Sequence, residues 1–123
     1  MPIAKVTTFT VRSRTYKMLF TGSGVADVEQ VLGEGLEESL QKRGYRNAIA
    51  YLHEGIRRGM SDDRFSLKET RILIDNATAD GMSYIDLWEV INRALQDSGV
   101  LKVERGDPLA PSESAPLRSI SDE

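Results

Sequence analysis

The apolar pattern of this chain changes its period once, at Thr21-Gly22-Ser23-Gly24, and that change dictates the fold class. Before it, Thr7, Phe9 and Val11 alternate with Thr8 and Thr10, and Tyr16, Met18 and Phe20 share one face, the period of two that marks half-buried strands. After it, Val25, Val28 and Leu32 recur at helical spacing, and Leu36 and Leu40 carry the stripe past Gly33 and Gly35. The spacing predicts either one bent helix or two short ones, ending at Gly44 behind the basic last turn Lys42-Arg43. The Gly22-Ser23-Gly24 stretch reads as the joint between the two regimes, too short to cradle a phosphate.

Three further helices are predicted downstream. One starts near Arg46, carries Ile49, Leu52 and Ile56 as its apolar stripe, and closes at Gly59. The next begins at Ser66, where Ser66-Leu67-Lys68-Glu69 is a capping box whose serine and glutamate each satisfy a free backbone donor. Leu67, Ile74 and Ala77 are its expected inner side, up to Gly81. A second start at Ser83 opens the last helix, with Tyr84, Trp88, Ile91 and Leu95 at helical spacing before Gly99. The strands, about residues 3–20, form the most economical topology as a hairpin across Arg12-Ser13-Arg14, and an isolated hairpin is marginal in water, so it must pack on the helices or on another chain. The expectation is an α+β domain over residues 1–103, an N-terminal β-hairpin followed by a compact bundle of four or five helices spanning about 24–99. Residues 104–123, with three of the four prolines and an excess of acids, are expected to be a flexible tail.

At 123 residues such a domain needs no staple, and the sequence has no cysteine to make one. That removes disulfides, thiolate metal sites and cysteine nucleophiles from consideration. With neither a spanning apolar run nor a signal-like amino terminus, the expected location is the cytoplasm, without membrane contact. Positive charge gathers at the front: Lys5, Arg12, Arg14 and Lys17 precede the first acid, while the remainder is acidic. Such a patch meets either nucleic acid or an acidic protein surface.

Catalytic and metal-binding motifs are not evident. His53 is the only histidine; Glu54, Asp62 and Asp63 stand near it in sequence, but it lies beside an apolar helical stripe and lacks convergent partners. Asp75 to Gly81 imitates the start of a calcium loop, yet Leu87 falls where the bidentate glutamate belongs. The Ser66–Ala79 and Ser83–Asp97 pair has helix-turn-helix lengths, but its second helix sets Asp86, Glu89 and Asp97 against a single Arg93, the wrong sign for phosphates. No cofactor is expected. The Tyr84, Trp88 stripe with Ile85 beside it is richer than one helix face requires. Core packing is the ordinary fate of such a stripe, and Trp88 is expected mainly in the core, but interfaces enrich the same residues. With Phe9 and Met18 of the hairpin, these three residues form the candidate partner-binding set.

Taken in order, Thr15-Tyr16-Lys17-Met18-Leu19-Phe20, the helix Val25 to Leu32, Ala50-Tyr51-Leu52-His53-Glu54-Gly55-Ile56-Arg57, the Ser66 to Glu69 start and the final helix Tyr84 to Leu95 resemble the tail assembly chaperones of long-tailed bacteriophages and gene transfer agents. The likeness spans about residues 14–101 and consists of order, lengths and apolar pattern. It implies a non-enzymatic helper that escorts the tape-measure protein during tail assembly and that can form a homo-oligomer. The longer β segment and the Pro/Ser-rich tail depart from that pattern. The alternative reading is a small nucleic-acid-binding regulator using the helix pair or the basic hairpin.

Overall fold

The computed structural model describes residues 5–102. It is an α+β fold: an antiparallel two-stranded hairpin, β1 (Thr7–Val11) and β2 (Arg14–Met18), followed by five helices. These are α1 (Gly22–Leu32), α2 (Leu36–Lys42), α3 (Tyr45–Gly59), α4 (Leu67–Ala79) and α5 (Tyr84–Asp97). The expected strand residues 3 and 4 and the expected tail, 104–123, lie outside the described residues.

The hairpin pairs Phe9 with Tyr16 and Thr7 with Met18, and its inward residues Thr7, Phe9, Val11, Tyr16 and Met18 are all buried. Its turn is tighter than expected. Only Arg12 and Ser13 lie between the strands, with φ of 50° and 67°, the two left-handed residues that match strand twist in a two-residue turn. Neither is glycine or asparagine, so no turn signal was visible in the letters. Arg12 instead reaches across to Asp80 at 3.2 Å and ties the turn to the end of α4.

The sheet lies on α3, the central helix. Gly55 permits this closeness: a Cβ there would sit 2.8 Å from both the Met18 Cε and the Phe20 Cζ. At Gly59 a Cβ would collide with the backbone of Lys17 and Met18. The Leu19 N–H donates to the Gly55 carbonyl at 3.0 Å, and the Phe20 N–H to the Ser98 Oγ at 2.8 Å. At the other end, the Lys5 N–H donates to the Asp97 carbonyl and the Thr7 hydroxyl to the Asp97 carboxylate, so α5 anchors both borders of the hairpin.

The first helical stretch divides in two. Gly33 turns left-handed and ends α1, and the Glu29 carboxylate accepts from the Leu36 N–H at 2.7 Å to open α2, whose N-cap Gly35 has no side chain to do so. Both capping boxes form, at Ser66/Glu69 and at Ser83/Asp86. Three details differ from expectation. Gly22, Ser23 and Gly24 are the first turn of α1, capped by the Thr21 hydroxyl, and not a linker. Leu67 is 52% exposed, because it opens α4 beyond the edge of the core. Ile49 is only partly buried; the sealed face of α3 is Ala48, Tyr51, Leu52, Gly55 and Ile56. No helix among the described residues is long and apolar enough to cross a membrane.

Candidate interaction surface

Of the five residues in the partner-binding set, three lie in the core. Phe9 and Met18 point from the hairpin onto the helices, and Trp88 is 2% exposed, packed edge-on to Tyr51 with its indole N–H donating to the Gly44 carbonyl at 3.3 Å. They shape the scaffold and present no surface. Tyr84 and Ile85, 46% and 50% exposed, remain outside. The division follows from helix geometry: Trp88 is one turn inside α5, whereas Tyr84 is its first residue and extends past the packed layer.

Sequence reasoning missed Tyr45. It opens α3 as Tyr84 opens α5, is similarly exposed, and meets Tyr84 edge-on at 6.3 Å between ring centroids. The available signal was the pair Tyr45 and Ile49, one turn apart and off the buried stripe. Together Tyr45, Tyr84 and Ile85 crowd apolar side chains at the N-terminal ends of two helices, where the first backbone N–H groups also face outward. Beside them, α3 and α4 bound an open groove of about 640 Å³, with Tyr45, Ile49, Ile74 and Ala79 as apolar lining and Arg71 and Asp75 also on it. A smaller depression of about 220 Å³ is lined by Val28 and Val31 of α1, Ala50 and His53 of α3, and Leu67 at the start of α4.

Two carboxylates tie α3, one near this surface and one at the helix's far end. Glu34, following α1, receives hydrogen bonds from Lys42 (3.0 Å), Ser39 (2.9 Å) and Asn47 (2.9 Å), joining α2 and the start of α3 to one point. The hydrogen bond from Lys42, then that from Ser39, holds the Glu34 pKa below the ordinary carboxylate value. Glu54, buried against Gly24 of α1, binds Arg57 at 3.0 Å and Arg58 at 2.9 Å. This pairing, led by the Glu54 hydrogen bond, raises the Arg57 pKa. A buried carboxylate needs such compensation, and both arginines are partly exposed, so this is an internal clamp on α3.

His53 is absorbed structurally: its Nε2 lies 2.9 Å from the Phe65 carbonyl and its ring stacks on the Phe65 ring. Asp62 and Asp63 are in the following loop, where Asp63 pairs with Arg57 and Asp62 accepts from the Arg64 N–H. Among the described residues no group of three or more histidine, aspartate or glutamate side chains converges as metal ligands would. Of the basic hairpin residues, Arg12 is paired with Asp80 and Arg14 lies over the Tyr16 ring at 4.9 Å. No family model, curated protein or solved structure matches the chain.

Proposed function

We propose that this protein is a non-enzymatic assembly chaperone of the phage-tail type, which binds the tape-measure protein in the cytoplasm and keeps it soluble until the tail is built around it. The observation that supports this reading is the exposed cluster Tyr45, Tyr84 and Ile85, large apolar side chains gathered where two helices begin. A solvent-facing cluster of this composition is suited to reversible cover by a partner. A long tape-measure helix has the complementary need, an apolar face with nothing on it before assembly. The β-segment-then-helices order on which the resemblance to that chaperone family rests is the order of the described elements, although the full hairpin is longer than the family's β segment.

Co-expression with a candidate tape-measure protein tests the proposal. The wild-type chain should move the client into the soluble fraction, and the double substitution Tyr84→Ser with Ile85→Ser should abolish this while leaving the thermal midpoint nearly unchanged. A client equally insoluble with and without the wild-type chain overturns the proposed activity. Rescue that survives the double substitution removes this cluster from it.

A further inference from the structure

We propose that the outer edge of β1 is the docking site for this chain's own segment beyond Lys102, with residues 103–107 added beside β1 as a third strand. The hairpin register decides which backbone groups face outward. A two-residue turn makes Val11 and Arg14 the closing hydrogen-bonded pair, so Thr8 and Thr10 of β1, and Thr15 and Lys17 of β2, turn their N–H and C=O groups away from the partner strand. The β2 edge is covered by α3: the Lys17 carbonyl lies against Gly59, and the Leu19 N–H beyond it donates to the Gly55 carbonyl. The β1 edge has no such cover. Thr8 and Thr10 are exposed, and among the described residues their outward N–H and C=O groups meet no protein partner. A strand with one open edge is a template for another extended segment.

The place where the chain leaves the fold points to the occupant. Asp97 binds the start of β1 twice, through the Lys5 N–H and the Thr7 hydroxyl, and Lys102, the last described residue, follows five positions later. Val100 and Leu101 pack against the core in between, so the next residues begin near the same end of β1 and need only run parallel to it. Their letters suit the edge. Residues 103–107 contain no proline and match β1 in length, and Pro108, which lacks an N–H, follows at once. Val103 supplies an apolar neighbour for Val6, which is 44% exposed at the start of the edge. Charge favours the same match: the hairpin carries Lys5, Arg12, Arg14 and Lys17 and no acid, whereas residues 103–123 hold five acids and two bases. An edge closed by its own chain is guarded against indiscriminate pairing and opens only to a partner that displaces the segment. The inference goes beyond the chaperone reading and does not depend on it.

Amide hydrogen exchange, read residue by residue by NMR in the full chain and in a chain ending at Lys102, tests the proposal. The Thr8 and Thr10 amides should exchange at least about tenfold more slowly in the full chain, because a strand bond must open first. The Phe9 and Tyr16 amides, which pair across the hairpin in both proteins, should exchange alike. A full-length variant separates strand pairing from attraction by charge alone. Glu104→Pro with Arg105→Pro removes an N–H on either side of the segment while the acids at 107, 113, 122 and 123 remain, and it should bring Thr8 and Thr10 to the rates of the shortened chain. Equal exchange of these two amides in the full and shortened chains would overturn the proposal. So would protection that survives the double proline substitution, or protection that appears only as protein concentration rises, which would assign the edge to the segment of another molecule.

Discussion

The C-terminal half of α3 is held by packing: Gly55 and Gly59 let the hairpin settle directly on the helix, and Met18 and Phe20 fill the contact. The N-terminal half, packed at Ala48 and Tyr51, adds polar ties. Asn47 reaches Glu34, the Gly44 carbonyl accepts from Trp88, and Tyr45 and Ile49 are left beside an open groove. The inward side of the packed half, Gly55 and Ile56, is closed to any other molecule, whereas the tied half displays the apolar Tyr45 and Ile49 without loss of its own anchorage. One helix thus serves both as the centre of the core and as a wall of the exposed surface.

The largest expected effect separates neighbours on α5. Trp88→Ala should destabilise the fold by about 3–5 kcal/mol, the range for deleting a large buried aromatic, and it also removes the donor to the Gly44 carbonyl. Tyr84→Ala, one turn earlier and half exposed, should change stability by less than about 1 kcal/mol. Urea denaturation of the two variants measures the contrast. Equal losses would mean that Tyr84 and Tyr45 are structural, and the exposed cluster would lose its case as a binding surface.

Next in size is Gly59→Ala, which tests the packed half directly. Here the obstacle to a new methyl is the backbone of Lys17 and Met18, which cannot rotate away as a side chain can. A loss of about 1–3 kcal/mol is expected, the usual penalty for overfilling a tight contact, and the hairpin amides should show it first in hydrogen exchange. The unchanged exchange of a stable variant would show that the sheet does not rest on α3 as closely as described.

How much of this was legible in the letters depends on which physical scale set each feature. The capping boxes at Ser66 and Ser83 were readable because a cap is settled within four residues, and the hairpin was readable because alternation at Thr7, Phe9 and Val11 is equally local. The two-residue turn was not, since Arg12 and Ser13 take left-handed conformations, one of them steadied by Asp80 sixty-eight positions away. Nor was the exposure of Tyr45 and Leu67, although Tyr84 was already among the expected partner-facing residues. Each is the first residue of its helix, and periodicity assigns a face without saying where the neighbouring layer ends. The groove needs α3 and α4 together, and the pattern of either helix alone does not contain it.

A smaller effect of opposite sign is expected at Tyr51, on the sealed face of α3. Its hydroxyl is buried without a hydrogen-bond partner, and Ser39, which stands near, donates to Glu34 instead. Burial pushes the Tyr51 pKa up, as it must where an anion would be desolvated. Tyr51→Phe removes the unsatisfied oxygen and keeps the ring against Phe20 and Trp88, so it should stabilise the fold by about 1 kcal/mol, the low end of the penalty for an unpaired buried polar group. A loss of stability in that variant would point to a partner for the hydroxyl, such as an ordered water.

The smallest effect concerns the polar ties of the N-terminal half, and it is visible only as a function of pH. Glu34 has a folded-state pKa below its ordinary value of 4.5, first because Lys42 donates to it. A carboxylate whose pKa is lowered by folding contributes stability that is fully present above the unfolded value and is lost as pH falls through the folded one. Glu34→Gln keeps an oxygen that can accept from Asn47 and Ser39 but removes the charge that draws Lys42. The variant should therefore melt slightly below wild type at neutral pH, and the gap should close as pH falls below about 4.5 and wild-type Glu34 becomes protonated in both states. Added salt should narrow the neutral-pH gap as well, because Lys42 is largely exposed and its attraction is screened. Thermal midpoints of both proteins across that range decide the matter. A gap that is constant with pH would mean that the carboxylate charge is idle and that hydrogen bonding alone holds the start of α3, leaving the packed half of the helix as its only electrostatically clamped part, through Glu54 with Arg57 and Arg58.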